Sequence, residues 1–198
     1  MNYLLIFLLL ASSFFTIANA QMSASSAWEE QSTHAEKQTE SKPLLLHGNT
    51  KIWLDEGVSI SKMQRLILFQ AVDTADSELP KEILSDITST IRGNLAKAGL
   101  EVVEPGQPLL PDDIAIKLIV TKYEPGSVGG RWLAPGFGVT VSIVRATLFL
   151  PANEEVVGKI ISWQQVSGGG IFSAGADKYV PQETAEAVAE ALIQQIHR

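Results

Sequence analysis

The chain has 198 residues, no cysteine, and 15 Lys plus Arg against 22 Asp plus Glu, for a formal net charge of −7. With no cysteine, a disulfide framework, a thiol nucleophile and a cysteine-linked lipid anchor are all excluded as expectations. The acidic balance argues against nucleic acid and anionic lipid as partners, because both are bound by clustered Lys and Arg.

Residues 1–20 read as a signal peptide. Leu4–Ile17 is an uncharged apolar run, and Ala18-Asn19-Ala20 has the small-x-small pattern that signal peptidase accepts. The run is shorter than the roughly 20 residues that span a bilayer. Cleavage after Ala20 is therefore expected, with no stable membrane insertion afterwards. An exported chain without disulfides fits a bacterial periplasm or the extracellular medium better than a eukaryotic secretory lumen. Residues 21–42 are rich in Ser, Thr, Gln and Glu, with Trp28 as the large apolar group. They lack the periodicity needed to offset ordering entropy and read as a flexible polar leader.

A single domain is expected over residues 43–198. Lys51–Leu54 is a short strand candidate, Gly57–Lys62 a turn, and Arg65–Val72 a dense apolar run that reads as one buried strand. Asp73–Leu79 is loop. Pro80–Ala98 is predicted as a helix. Pro80 suits a first turn, Glu82 favours the positive end of the dipole, and Leu84, Ile87, Ile91, Leu95 and Ala98 form one apolar stripe. Gly99 ends it in the left-handed conformation, with Leu100 as the apolar partner of the cap.

Glu101–Glu104 is a short strand and Pro105–Asp113 a turn-rich loop. Ile114–Tyr123 alternates, with Ile114, Ile116, Leu118 and Val120 toward the core. Val139–Leu150 and Val156–Ser167 form a hairpin around Pro151–Glu155. Pro181–His197 is the closing helix, striped by Ala185, Val188, Ala189, Leu192 and Ile196. The order β-β-α-β-β-β-β-α implies an α+β fold: a mostly antiparallel or mixed sheet with two amphipathic helices packed on one face.

Two glycine-rich segments, Tyr123–Gly138 and Gly168–Gly175, flank the hairpin, and strand direction brings both to one end of the sheet. The candidate binding surface there is Tyr123, Arg131, Trp132, Phe137 and Phe172, residue types enriched at binding hot spots. Gly126, Gly129, Gly130, Gly136, Gly138, Gly168, Gly169 and Gly170 supply loop geometry, serving either as turns or as points of close backbone approach. Neither segment contains a P-loop or a dinucleotide fingerprint. There is no GxSxG elbow and no HExxH, and His34, His47 and His197 are scattered. No catalytic residue, metal site or cofactor is expected. Asp112-Asp113 and Glu154-Glu155 read as solvated turn or strand-cap pairs.

The run from Ile114 to His197 resembles a bacterial envelope family, that of domain of unknown function 4410. The resemblance lies in the strand exit Tyr123-Glu124-Pro125-Gly126, the Arg131-Trp132 element and the Gly136-Phe137-Gly138 step. Gly169-Gly170-Ile171-Phe172 before the last helix and Ala98-Gly99-Leu100 also fit. It implies an exported, often lipid-anchored protein similar in fold to the amino-terminal domain of TolB, working through protein partners and bringing no catalytic residues. The absence of cysteine departs from the lipid-anchored members.

The leading functional expectation is a non-enzymatic periplasmic binding or envelope-assembly module with an envelope protein as partner. The alternative is a small-molecule or anion-binding domain at the same end. A hydrolase with an unrecognised site is the least supported reading.

Overall fold

The structure is a computed structural model that describes residues 44–46, 49–75, 79–127, 138–166 and 176–198. In chain order the elements are β1 (Leu44–Leu46), β2 (Thr50–Leu54), β3 (Arg65–Leu68), β4 (Val72–Asp73), α1 (Lys81–Lys97), β5 (Glu101–Val103), β6 (Ile114–Glu124), β7 (Thr140–Leu150), β8 (Glu155–Val166) and α2 (Ala176–Ile196). The sheet runs β1-β2-β8-β7-β6-β3-β5, and β4 continues the lane of β3 beside β6. β3 is parallel to β5 and β6, and β4 is parallel to β6. The remaining pairings are antiparallel. This is the mixed α+β sheet expected from the order of elements, with an added edge strand, β1.

One expected strand is broken in two. Leu68 pairs with Ile116 but Val72 pairs with Ile119, so the β3–β4 lane holds one residue more than its partner. The break has a chemical cause. The Ala71 N–H leaves the ladder and donates to Thr88 Oγ1 of α1 at 3.0 Å, while that hydroxyl donates to the Leu84 carbonyl at 2.9 Å. Thr88 is buried, so this bond ties the helix to the sheet without stranding a backbone donor.

α1 forms where its stripe predicts. Ile87, Ile91 and Leu95 are fully buried. Its end is a Schellman cap: the Gly99 N–H bonds the Ala96 carbonyl and the Leu100 N–H bonds the Leu95 carbonyl, with Gly99 at φ 90°. Leu100 is buried in the same cluster as Leu95. α2 begins five residues before the expected start at Pro181, which lies inside the helix. Pro181 has no N–H to give the preceding turn, and Thr184 Oγ1 donates to the Val180 carbonyl at 2.7 Å.

Both helices lie on one face. Their buried residues Ile87, Ile91, Leu95, Ala185, Val188 and Leu192 join Leu66, Leu68, Ile116, Leu118, Val144, Leu148 and Ile160 of the sheet in the main core. The opposite face carries two smaller clusters drawn from strands and adjoining residues, one around Trp53, Val141, Ile143 and Ile161 and one around Ile67, Ala115 and Phe149. No helix among the described residues is long and apolar enough to cross a membrane.

Candidate functional site

β6, β7 and β8 are neighbours, and their register fixes where the glycine segments attach. Glu124 pairs with Val141 and Thr140 pairs with Val166, so the exit of β6, the start of β7 and the exit of β8 share one end of the sheet. The turn at residues 151–154 lies at the other end, with Glu154 at φ 57° and Glu154 and Glu155 exposed. There Asn153 bonds both the side chain and the N–H of Glu155.

The described part of the first glycine segment is a neck. The Ser127 N–H donates to the Gly138 carbonyl at 3.2 Å, and Thr140 Oγ1 donates to the Pro125 carbonyl at 2.7 Å. Gly126 and Gly138 both have positive φ, 68° and 63°. A Cβ on Gly138 would fall 2.1 Å from the Ser127 carbonyl oxygen. Arg131, Trp132, Phe137, Phe172, Gly129, Gly130, Gly136, Gly168, Gly169 and Gly170 lie outside the described residues.

Tyr123 sits in the main core, 6% exposed. The reason is a bulge at Thr121, which reverses the alternation of β6 between Val120 and Lys122. Before it, even-numbered residues face the helices; after it, Tyr123 does. Tyr123 therefore supports this end of the sheet from beneath the helices.

Asp113 is 2% exposed rather than solvated. It pairs with Arg65 at 3.1 Å and accepts the Leu110 N–H at 2.8 Å, and Arg65 also donates to the Pro108 carbonyl. The pair fastens the loop before β6 to the start of β3. An acidic doublet in a turn-rich loop gave no sign of a cation 48 residues earlier.

Two surfaces complete the picture. A polar groove of about 310 Å³ runs between the helices, lined by Asp86, Ser89, Asn94, Lys97, Gln182 and Glu186 among others. Across the helix-free face, Lys117, Thr147, Lys159 and Trp53 share one row, and Ile119, Arg145, Ile161 and Lys51 the next. Burial lowers the proton affinity of the Arg145 guanidinium. The Lys159 amine is pushed below its ordinary value by burial and then by the charge of Arg145, with Asp55 opposing. No group of three or more His, Asp or Glu among the described residues is placed to hold a metal ion.

No family model and no curated protein matches the sequence, so the resemblance carried by the motifs has no family match behind it. Solved structures do match. A PelC dodecamer from Paraburkholderia phytofirmans is 12% identical over 75% of this chain and 99% of that chain, with a TM-score of 0.50. Lipoprotein GNA1162 from Neisseria meningitidis is 11% identical over 67% of this chain and 96% of that one, with a TM-score of 0.39. A Xanthomonas campestris protein of the family of domain of unknown function 330 is 10% identical over 71% and 86%, with a TM-score of 0.42. The structural neighbours are thus bacterial proteins, several of them named as lipoproteins, and the α+β fold is shared with PelC.

Proposed function

We propose that this chain is a non-enzymatic binding or assembly module of the bacterial envelope that works by contact with other protein chains. The observation that carries the reading is the likeness in fold to PelC over nearly the whole of a chain described as a dodecamer. That likeness is an analogy of fold, and the site must be argued from this chain. The proposed docking surface is the glycine end of the sheet, with Arg131, Trp132, Phe137 and Phe172 as contacts and Tyr123 supporting them from the core.

The proposed location is the periplasm or the medium, after cleavage following Ala20. Neighbours named as lipoproteins pull toward a membrane anchor, but none of these 198 residues is a cysteine that would take the lipid.

Light scattering and chemical crosslinking of the exported chain test the reading. Assembly, or crosslinks to an envelope protein, that weakens in folded Arg131→Ala and Trp132→Ala variants supports it. A monomer at every concentration, with no crosslinked partner, overturns it. The alternative is a small-molecule or anion-binding domain at the same glycine end. A saturable rise in melting midpoint with phosphate or citrate would support that reading, and a flat response would remove it.

A further inference from the structure

The helix-free face is basic in a chain whose net charge is −7. Lys51, Lys117, Lys122, Arg145 and Lys159 all take register positions on it. The four lysines are engaged locally. Lys122 pairs with Glu124 at 3.3 Å. Lys117 lies over the rings of Phe69 and Phe149, at 5.6 and 4.6 Å from their centroids. Arg145 is different. It stands mid-sheet between Ile119 and Ile161, half-buried, with its Nε buried and unbonded and no carboxylate partner among the described residues. Diagonal to it on β8 is another cation, Lys159.

A half-buried guanidinium with no carboxylate beside it is favoured by an anion that covers it. The internal stretches outside the described residues are poor sources of that anion. Residues 128–137 and 167–175 contain no Asp or Glu. Residues 76–78 contain Asp76 and Glu78. They are bracketed by Ala75 and Leu79, whose N–H groups both donate to Asp73, and they lead into α1 on the other face.

The leader has the right chemistry. It carries Glu29, Glu30, Glu36 and Glu40, against Lys37 and Lys42, together with Trp28. It also reaches the sheet in the right place. It runs directly into β1, where Leu44 pairs with Ile52, one residue from Trp53, and Trp53 pairs with Lys159. Three strand spacings of about 4.8 Å separate β1 from β7. Residues 21–42 can reach roughly 70 Å when extended at about 3.3 Å each, so length sets no obstacle.

We propose that the leader, residues 21–42, lies back across the helix-free face of the sheet, with its glutamates on Arg145. The leader then acts as a built-in acidic ligand, and any acidic partner of that face must displace it.

The absence of cysteine makes the test direct, because Ser32→Cys creates a single site for a nitroxide label in the exported chain. The probes are the methyl resonances of Ile119 and Ile161, which flank Arg145. The expected result is broadening of both, unchanged on dilution. It should be lost at 1 M salt, where the Debye length is about 3 Å. It should also be lost when Glu29→Gln, Glu30→Gln, Glu36→Gln and Glu40→Gln are combined, a variant that leaves the folded domain untouched. Sharp methyls in the labelled chain overturn the proposal. Broadening that survives the four glutamines overturns it too, since the contact is then apolar. Broadening seen only when labelled and isotope-enriched chains are mixed assigns the face to a second copy instead.

Discussion

At Gly138 two constraints meet: a φ of 63° that L side chains adopt poorly, and a Ser127 carbonyl oxygen 2.1 Å from where a Cβ would sit. Gly138→Ala is therefore expected to cost at least about 2 kcal/mol, read as a lower denaturant midpoint, because backbone strain and a backbone clash add. The buried pair of Arg65 and Asp113 makes a second residue-scale prediction. Their side chains are 15% and 1% exposed. Asp113→Ala strands the guanidinium and frees the Leu110 N–H, and should cost about 3 kcal/mol. The double variant Arg65→Met with Asp113→Leu should recover much of that loss, because both charges then leave together. A double variant as unstable as the single would show that the loop bond, rather than the pair, sets the cost.

At the scale of the element, α1 offers a matched pair of glycines. Gly93 has ordinary helical φ and nothing within 4 Å of an added Cβ, whereas Gly99 has φ 90° in the Schellman cap. Gly93→Ala should raise stability by about 0.5–1 kcal/mol, since it removes only the entropy cost of glycine. Gly99→Ala should lower it by about 1–2 kcal/mol, the cost of a left-handed residue with a Cβ. Thermal or urea unfolding of the two variants side by side checks both signs. The stripe and the cap of α1 were readable in the sequence because both depend on local spacing. The start of α2 was not, because Pro181 marks a helix start only by custom; here the chain is already helical from Ala176. The β3–β4 break was hidden for another reason. It depends on Thr88, a residue 17 positions from Ala71, taking a strand N–H.

At the scale of the whole molecule, charge is sorted by layer. The chain is acidic in sum, yet Arg145 and Lys159 are diagonal neighbours on the helix-free side of the sheet. The folded chain holds the Lys159 proton less tightly than the unfolded chain does, because burial and Arg145 lower its affinity. Between the folded value and the ordinary 10.5 the unfolded state binds more protons, so this group's contribution to stability rises with pH across that window. Below the folded value the penalty is fully present. Arg145→Gln should move the Lys159 titration upward, as read by NMR of isotope-labelled lysine. An unmoved titration would leave burial as the whole cause.

The sequence by itself determined the class of fold, the order of elements, α1 with its cap, and the alternation of the long strands. Each of these is written in periodicities a few residues long, and near neighbours alone decide them. The tertiary structure decided what long-range pairing decides. A bulge at Thr121 sends Tyr123 into the core, a distant Arg65 turns Asp113 from a solvated acid into a buried partner, and cations scattered from Lys51 to Lys159 come to share one face. Side-chain parity, charge pairing and the identity of a face are properties of register between strands far apart in the chain, and composition or spacing along one strand does not contain them.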